Sequence, residues 1–285
     1  MCIFILLFSW FLFNTSNLAF AQLERLAGAR TLGLNGCNTA LSSDIWGLFS
    51  NPANIGGMQA PEINTYFERR YNMAELQYLA FGAVYPIKNQ HYTGAAFSSF
   101  GWEFYKTHLI GLNYTYHLLN IIHLGIRLNY ANTIIPNYGN WNSFLVDIGG
   151  NAALSKKVNI AFKVMNANQA EILGDKLPTE IAIGLKYQPS KKVKILTEWK
   201  KSHLFPVSFC SAVEYQPLDY LIFRTGSAIS SNRLPAPNNY FVTSSFGIGF
   251  FWQNIIFDLA AQWHDRLGIT PAISLGYQFT KKPTK

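Results

Sequence analysis

The sequence predicts an all-β protein, a transmembrane antiparallel β-barrel of about fourteen strands preceded by a small N-terminal plug. Three observations carry this expectation: an apolar/polar alternation of period two, an alternation of short and long connections, and an unusual composition. Charged residues make up 13% of the 285 and aromatics 15%, whereas an average soluble chain carries about twice that charge. A surface facing lipid, with aromatic belts at both interfaces, accounts for both figures. A mean hydropathy of +0.07 is too low for a bundle of membrane helices, and it suits strands whose every second residue is polar or small.

The chain opens with an apolar run over residues 1–13 and reaches Ala19-Phe20-Ala21, a secretory signal pattern with cleavage expected after Ala21. No Lys or Arg precedes that run. No later stretch reaches the eighteen or so apolar residues of a membrane helix, so the pattern points to export, either into the medium or into the outer membrane. Of the three cysteines, Cys2 lies in the leader; Cys37 and Cys210 either pair in an oxidising periplasm or stay as thiols, and the spacing favours thiols.

From residue 61 the period-two pattern places the strands at 62–69, 75–87, 91–102, 105–119, 121–135, 142–155, 158–168, 177–190, 193–201, 206–218, 221–230, 240–252, 255–265 and 269–279. Between 110 and 118, Ile110, Leu112, Tyr114, Tyr116 and Leu118 fall on one face, with Gly111, Asn113, Thr115 and His117 on the other. Residues 255–263 repeat the pattern. Connections after even strands are tight, as at Lys156-Lys157 and Gln253-Asn254; those at 136–141, 169–176 and 231–239 are longer. Short periplasmic turns and longer external loops, with both termini periplasmic, are what such barrels show. Aromatics such as Tyr85, Trp102, Trp199, Trp252 and Tyr277 gather at strand ends, and the last strand closes on Phe279.

Residues 22–60 break the rhythm. Ala27–Gly36 is rich in small residues, Ala40–Phe49 predicts a short helix capped by Ser42 or Ser43, and Asn51–Gly57 reads as a turn. The segment is too small to fold alone. The expected organisation is therefore a signal peptide at 1–21, a plug at 22–60, a barrel at 61–280 and a periplasmic tail at 281–285.

Gly28-Ala-Arg-Thr-Leu-Gly-Leu-Asn-Gly36, Thr39-Ala-Leu-Ser-Ser-Asp44 and Asn51-Pro52-Ala53 resemble the plug of FadL-like outer-membrane barrels and, more closely, of the PorV/PorQ family. The resemblance implies a plug motif at Asn51, Pro52 and Ala53. It also implies one of two functions. The leading expectation is the PorV/PorQ role, support of type IX protein secretion or surface attachment of cargo, with secretion-system components or cargo C-terminal domains as partners beside outer-membrane lipid. The alternative is FadL-like transport of hydrophobic solutes.

With the apolar face toward lipid, the lumen receives Arg127, Asp147, Lys163, Glu180, Lys186, Glu198, Glu214, Arg224 and Asp258. These form either a polar conduit or plug gate, or a set of internal ion pairs that rigidify the barrel; the second reading is favoured. The net charge of +8 resides largely in turns such as Lys156-Lys157, Lys191-Lys192-Lys194 and Lys281-Lys282. No basic helix or basic–aromatic stripe accompanies it, so no nucleic-acid partner is expected. The histidines lack metalloprotease spacing, and neither a nucleophile elbow nor a phosphate loop occurs. No enzyme activity, catalytic residue, metal or cofactor is expected. His117 and His123 flank one turn and could meet there.

Overall fold

The computed structural model describes residues 26–87, 90–119, 121–172, 174–202, 207–231 and 240–279. The expected signal peptide at 1–21 and its cleavage point, the first residues of the expected plug, most of the loop expected at 231–239 and the expected tail at 281–285 lie outside the described residues.

Fourteen antiparallel strands form a closed barrel in chain order. They are β1 Glu62–Arg69, β2 Gln77–Ile87, β3 His91–Trp102, β4 Tyr105–Leu118, β5 Ile122–Ile135, β6 Gly139–Ala153 and β7 Val158–Met165. The second half comprises β8 Glu180–Ser190, β9 Val193–Ser202, β10 Ser208–Leu218, β11 Leu221–Ser231, β12 Tyr240–Trp252, β13 Ile255–His264 and β14 Gly268–Gln278. The ring closes where β1 pairs with β14, Glu62 opposite Gln278 and Glu68 opposite Ala272. We call the rim carrying Glu62 and Gln278 proximal and the other distal.

Alternation in the sequence becomes alternation across the wall. Ile110, Leu112 and Tyr114 face outward, while Thr107, Leu109, Asn113 and Thr115 are buried inside. Register extends each outward row: Leu112 stands opposite Leu128, and Ile110 opposite Tyr130. The result is a continuous apolar exterior, and closure pairs the first strand with the last, whose edges would otherwise meet hydrocarbon unpaired. Proximal hairpins are tight enough to put Gln90, Leu119 and Gln253 at positive φ.

Distal connections depart from the sequence expectation. β6 starts at Gly139, so the loop expected over 136–141 is a tight turn in which the Tyr138 amide donates to the Ile135 carbonyl, 3.0 Å. The stretch expected as an exposed loop at 169–176 folds partly inward. Glu171–Ile172 pairs with Asp175–Lys176, and Ile172 and Leu177 pack inside against Leu109, Ala131 and Leu145. β7 ends early, at Met165, and pairs with β6 only from Ile148 to Ala153. Beyond that point the Ala167 amide still donates to the Val146 carbonyl at 2.7 Å, and the Asn168 side chain accepts from the Val146 amide at 2.9 Å and donates to the Phe144 carbonyl at 2.8 Å.

Residues 26–60 fill the lumen. Their helix is α1, Ala29–Gly33, inside the small-residue run; the helix expected at Ala40–Phe49 is a 3-10 turn over Ile45–Phe49. Ser43 at φ 56 stops a helix from starting there. Small residues suit α1 because it presses on the wall: a Cβ on Gly33 would lie 3.0 Å from the Gly247 Cα. Gly28, at φ 104, leaves the space that the Trp46 ring fills.

Leu112 is mid-strand and 65% exposed on the lipid face. Leu112→Arg is expected to cost about 2–4 kcal/mol when the protein is refolded into phospholipid vesicles under a urea titration. Trp252→Arg, at the proximal rim, is expected to cost about 0–1 kcal/mol in the same titration.

Candidate functional site: the plugged lumen

The candidate lumen charges point inward and gather in three groups, each touching the plug. In the first, Arg127 and Asp147 are cross-strand neighbours. Arg127 Nε and Nη2 donate to Asp147 Oδ2 at 2.9 and 2.8 Å, and Asn129 joins the same oxygen at 2.6 Å. The other Asp147 oxygen accepts from the Asn166 amide, 2.7 Å. Arg127 Nη1 reaches the carbonyl of Leu48, which lies in the 3-10 turn. A fully buried guanidinium thus binds a wall carboxylate and the plug backbone at once.

The second group is built on Glu214. Its neighbours in register are Lys194 and Arg224, whose nitrogens lie 2.7 and 2.9 Å from the carboxylate. From α1, Arg30 adds two bonds, Nε to Oε2 at 2.9 Å and Nη2 to Oε1 at 3.0 Å. Arg224 also reaches Asp258 at 2.5 Å. That side chain passes over β12 where Gly249 has none, since a Cβ there would sit 2.7 Å from Arg224 Nη1. In the third group Lys163 lies 3.0 Å from Glu180 and 3.9 Å from Glu198. The second Glu198 oxygen accepts from the Asn38 and Thr39 amides, both at 2.9 Å. Lys186 donates to Ser42 Oγ at 3.1 Å. All nine side chains named from the sequence face the lumen; Glu180 is half-buried and the rest are buried.

Asn51, Pro52 and Ala53 are buried where the plug meets β4–β6. Asn51 Oδ1 accepts from the Ala53 amide at 3.0 Å and caps the turn Pro52–Ile55. Its amide donates to the carbonyls of Thr39 at 2.8 Å and Gly150 at 3.3 Å. The Pro52 carbonyl accepts from Thr115 Oγ1 at 2.6 Å and Asn113 Nδ2 at 3.1 Å. A short turn with no helix to pair its backbone thus draws partners from the wall.

Arg30, Asp44 and Lys194 were not among the residues singled out. Lys194 reads as part of a basic turn, but its even number puts it on the inward face with Glu198, a parity signal present in the sequence. Arg30 is the lone charge in a small-residue run. Burial opposes its charge, yet Glu214 and Asp44 outweigh burial and hold the guanidinium well above its usual range. Asp44 is raised above the ordinary carboxyl value by burial; its contact with Arg30, 3.3 Å, is longer than the Glu214 bonds that occupy the same guanidinium.

One side of the lumen is aromatic. Trp46 and Phe49 of the plug lie 5.9 Å apart between ring centroids; Trp46 meets Tyr66 at 5.7 Å, Tyr66 meets Tyr78 at 5.9 Å, and Tyr78 meets Phe100 at 6.4 Å. Near the distal rim the Arg70 guanidinium covers Tyr78 at 5.6 Å and Phe100 at 5.1 Å. Trp46 also lines a polar cavity of about 350 Å³ toward the proximal rim, with Arg30, Asp44, Glu62, Lys194 and Glu214. The ring series therefore runs from the distal mouth to the edge of a proximal chamber. His117 and His123 do meet, with ring centroids 4.2 Å apart. Among the described residues, no three His, Cys, Asp or Glu side chains cluster as a metal site.

No protein-family pattern and no curated protein matches the chain. Solved structures do. A monoaromatic hydrocarbon channel, CymD, aligns with a TM-score of 0.69 at 14% identity over 90% of this chain and 98% of its own. The Pseudomonas putida toluene transporter TodX aligns at 0.60 and 11% over 91% and 100%. A FadL homologue from Pseudomonas aeruginosa aligns at 0.60 and 12% over 89% and 98%. At such identities the likeness shows the fold alone, that of a closed outer-membrane-type β-barrel; PorV/PorQ membership is not shown.

Glu214→Ala would leave three cations crowded in the lumen, and a loss of about 3–5 kcal/mol is expected in denaturant unfolding. Asp44 predicts a pH effect. An acid whose folded pKa is raised adds stability below its unfolded value, about 4, and that stability is lost as pH rises through the folded value. Asp44→Asn should therefore lose less stability than wild type as pH is raised from about 4, measured as the shift in urea midpoint.

Proposed function

We propose that this protein is an outer-membrane passage for hydrophobic solutes. The observation that carries the reading is the ring series from Arg70 and Phe100 through Tyr78 and Tyr66 to Trp46, which ends where the proximal chamber begins. Aromatic faces hold apolar molecules by contact area and offer little to a hydrated one. The charged groups of the wall are engaged by one another and by the plug. The fold shared with hydrocarbon channels supports the same reading. In this orientation the proximal rim is periplasmic, because the first barrel strand starts there, the last one ends there, and it carries short turns.

The apolar group of Leu109, Leu145, Ile172 and Leu177, with Trp141 against it, lies at the distal mouth. It extends the apolar lining there and would receive solute arriving from outside. The secretion role stands as a second reading that rests on the resemblance of Gly28–Gly36, Thr39–Asp44 and Asn51–Ala53. Those same residues tie the plug to the wall, a duty that any plugged barrel requires.

Proteoliposomes holding the protein should take up a labelled alkylbenzene faster than empty vesicles and a labelled disaccharide no faster. Tyr78→Glu, which replaces one ring of the series and adds a carboxylate beyond the Glu68 already bound to Tyr66 and Arg70, should reduce alkylbenzene uptake several-fold. Unchanged uptake by a deletion strain, together with cargo retained in its periplasm, would favour secretion instead.

A further inference from the structure

Two thiols meet where the plug touches the wall. Cys37 follows α1, and Cys210 lies on the inward face of β10 between Glu198 and Ala228 of the neighbouring strands. Both are 1% exposed. Cys37 Sγ lies 3.7 Å from the Cys210 carbonyl oxygen, and Cys210 Sγ lies 3.5 Å from the carbonyl oxygen of Asn35 and 3.8 Å from that of Leu34. Each sulfur thus rests against the other residue's local backbone. Leu34, Leu41, Leu196 and Ala212 enclose the pair.

The backbone around this contact is held from both sides. Before Cys37, the Cys37 amide donates to the Leu34 carbonyl, 3.0 Å, at the end of α1. After it, Glu198 accepts the amides of Asn38 and Thr39. Glu198 is also the register neighbour of Cys210. One carboxylate therefore fixes the plug beside its cysteine and sits next to the wall cysteine.

We propose that Cys37 and Cys210 are an oxidation site, forming a disulfide that covalently tethers the plug to the barrel wall. The oxidant is a thiol–disulfide oxidoreductase of the export compartment. One cysteine, as thiolate, attacks the oxidant's disulfide, forming a mixed disulfide and expelling a thiolate. The second cysteine, having lost its proton, attacks the first cysteine's sulfur, forms the new S–S bond and releases the oxidant as a dithiol. Two electrons pass to the oxidant, and the two protons go to its sulfurs. Burial dictates the timing, because neither sulfur can meet an enzyme once the barrel surrounds them; exchange takes place before closure, and the bond is afterwards shielded from reductants. A tethered plug cannot leave the lumen. This tether stands independently of what passes through the barrel.

The test is peptide mapping of wild-type protein from outer membranes lysed and unfolded in N-ethylmaleimide. Recovery of a Cys37–Cys210 linked peptide, with maleimide at both positions only after reduction, is the expected result. Both cysteine peptides carrying maleimide without reductant would overturn the proposal. Cys210→Ala supplies the control, since Cys37 must then react on unfolding without reductant; because the decisive measurement uses wild type, it does not depend on that variant folding.

Discussion

Hydrocarbon offers no partner to a peptide N–H or C=O, and this constraint shapes the whole molecule. It requires a ring in which every strand has two neighbours, and the pairing of β1 with β14 meets it. A ring of fourteen strands encloses more space than its own inward side chains fill. The plug occupies that space, and its short turns bring unpaired peptide groups of their own. The wall answers with side chains: Arg127 for the Leu48 carbonyl, Glu198 for the Asn38 and Thr39 amides, Thr115 and Asn113 for the Pro52 carbonyl.

Buried charge is costly unless it is paired and hydrogen-bonded. Here the pairs form between adjacent strands, as Arg127 with Asp147 and Glu214 with both Lys194 and Arg224. Cross-strand register places the partners before the plug contributes anything. The plug then joins through Arg30 and its own backbone, so the groups that rigidify the wall also position its contents. The side chains that pair with one another across the wall are thus also the ones that hold the plug.

The strands and inward charges were legible because period two is a local property: residue parity alone decides which side of the wall a side chain faces. The fourteen spans and all nine charges follow from it, and parity applied to Lys194 would have found that one too. The aromatic series was not legible, because Trp46, Tyr66, Tyr78 and Phe100 come from separate segments that only the closed ring brings together. The inward fold of residues 171–177 was equally hidden, since Ile172 and Leu177 look like ordinary loop residues until Leu109, Ala131 and Leu145 are placed beside them. α1 was missed because a run of Ala and Gly signals close packing without saying against what.

The wall is not equally stiff all round. Between most neighbours a full ladder of peptide bonds resists separation, but along the distal half of β6 the side chain of Asn168 stands in for part of one. Among the described residues, this is the seam where strand pairing stops furthest from the rim. How far the barrel flexes from a circular cross-section under the lateral pressure of the bilayer depends on three consecutive residues, Asn166 on Asp147, Ala167 on the Val146 carbonyl and Asn168 on Val146 and Phe144.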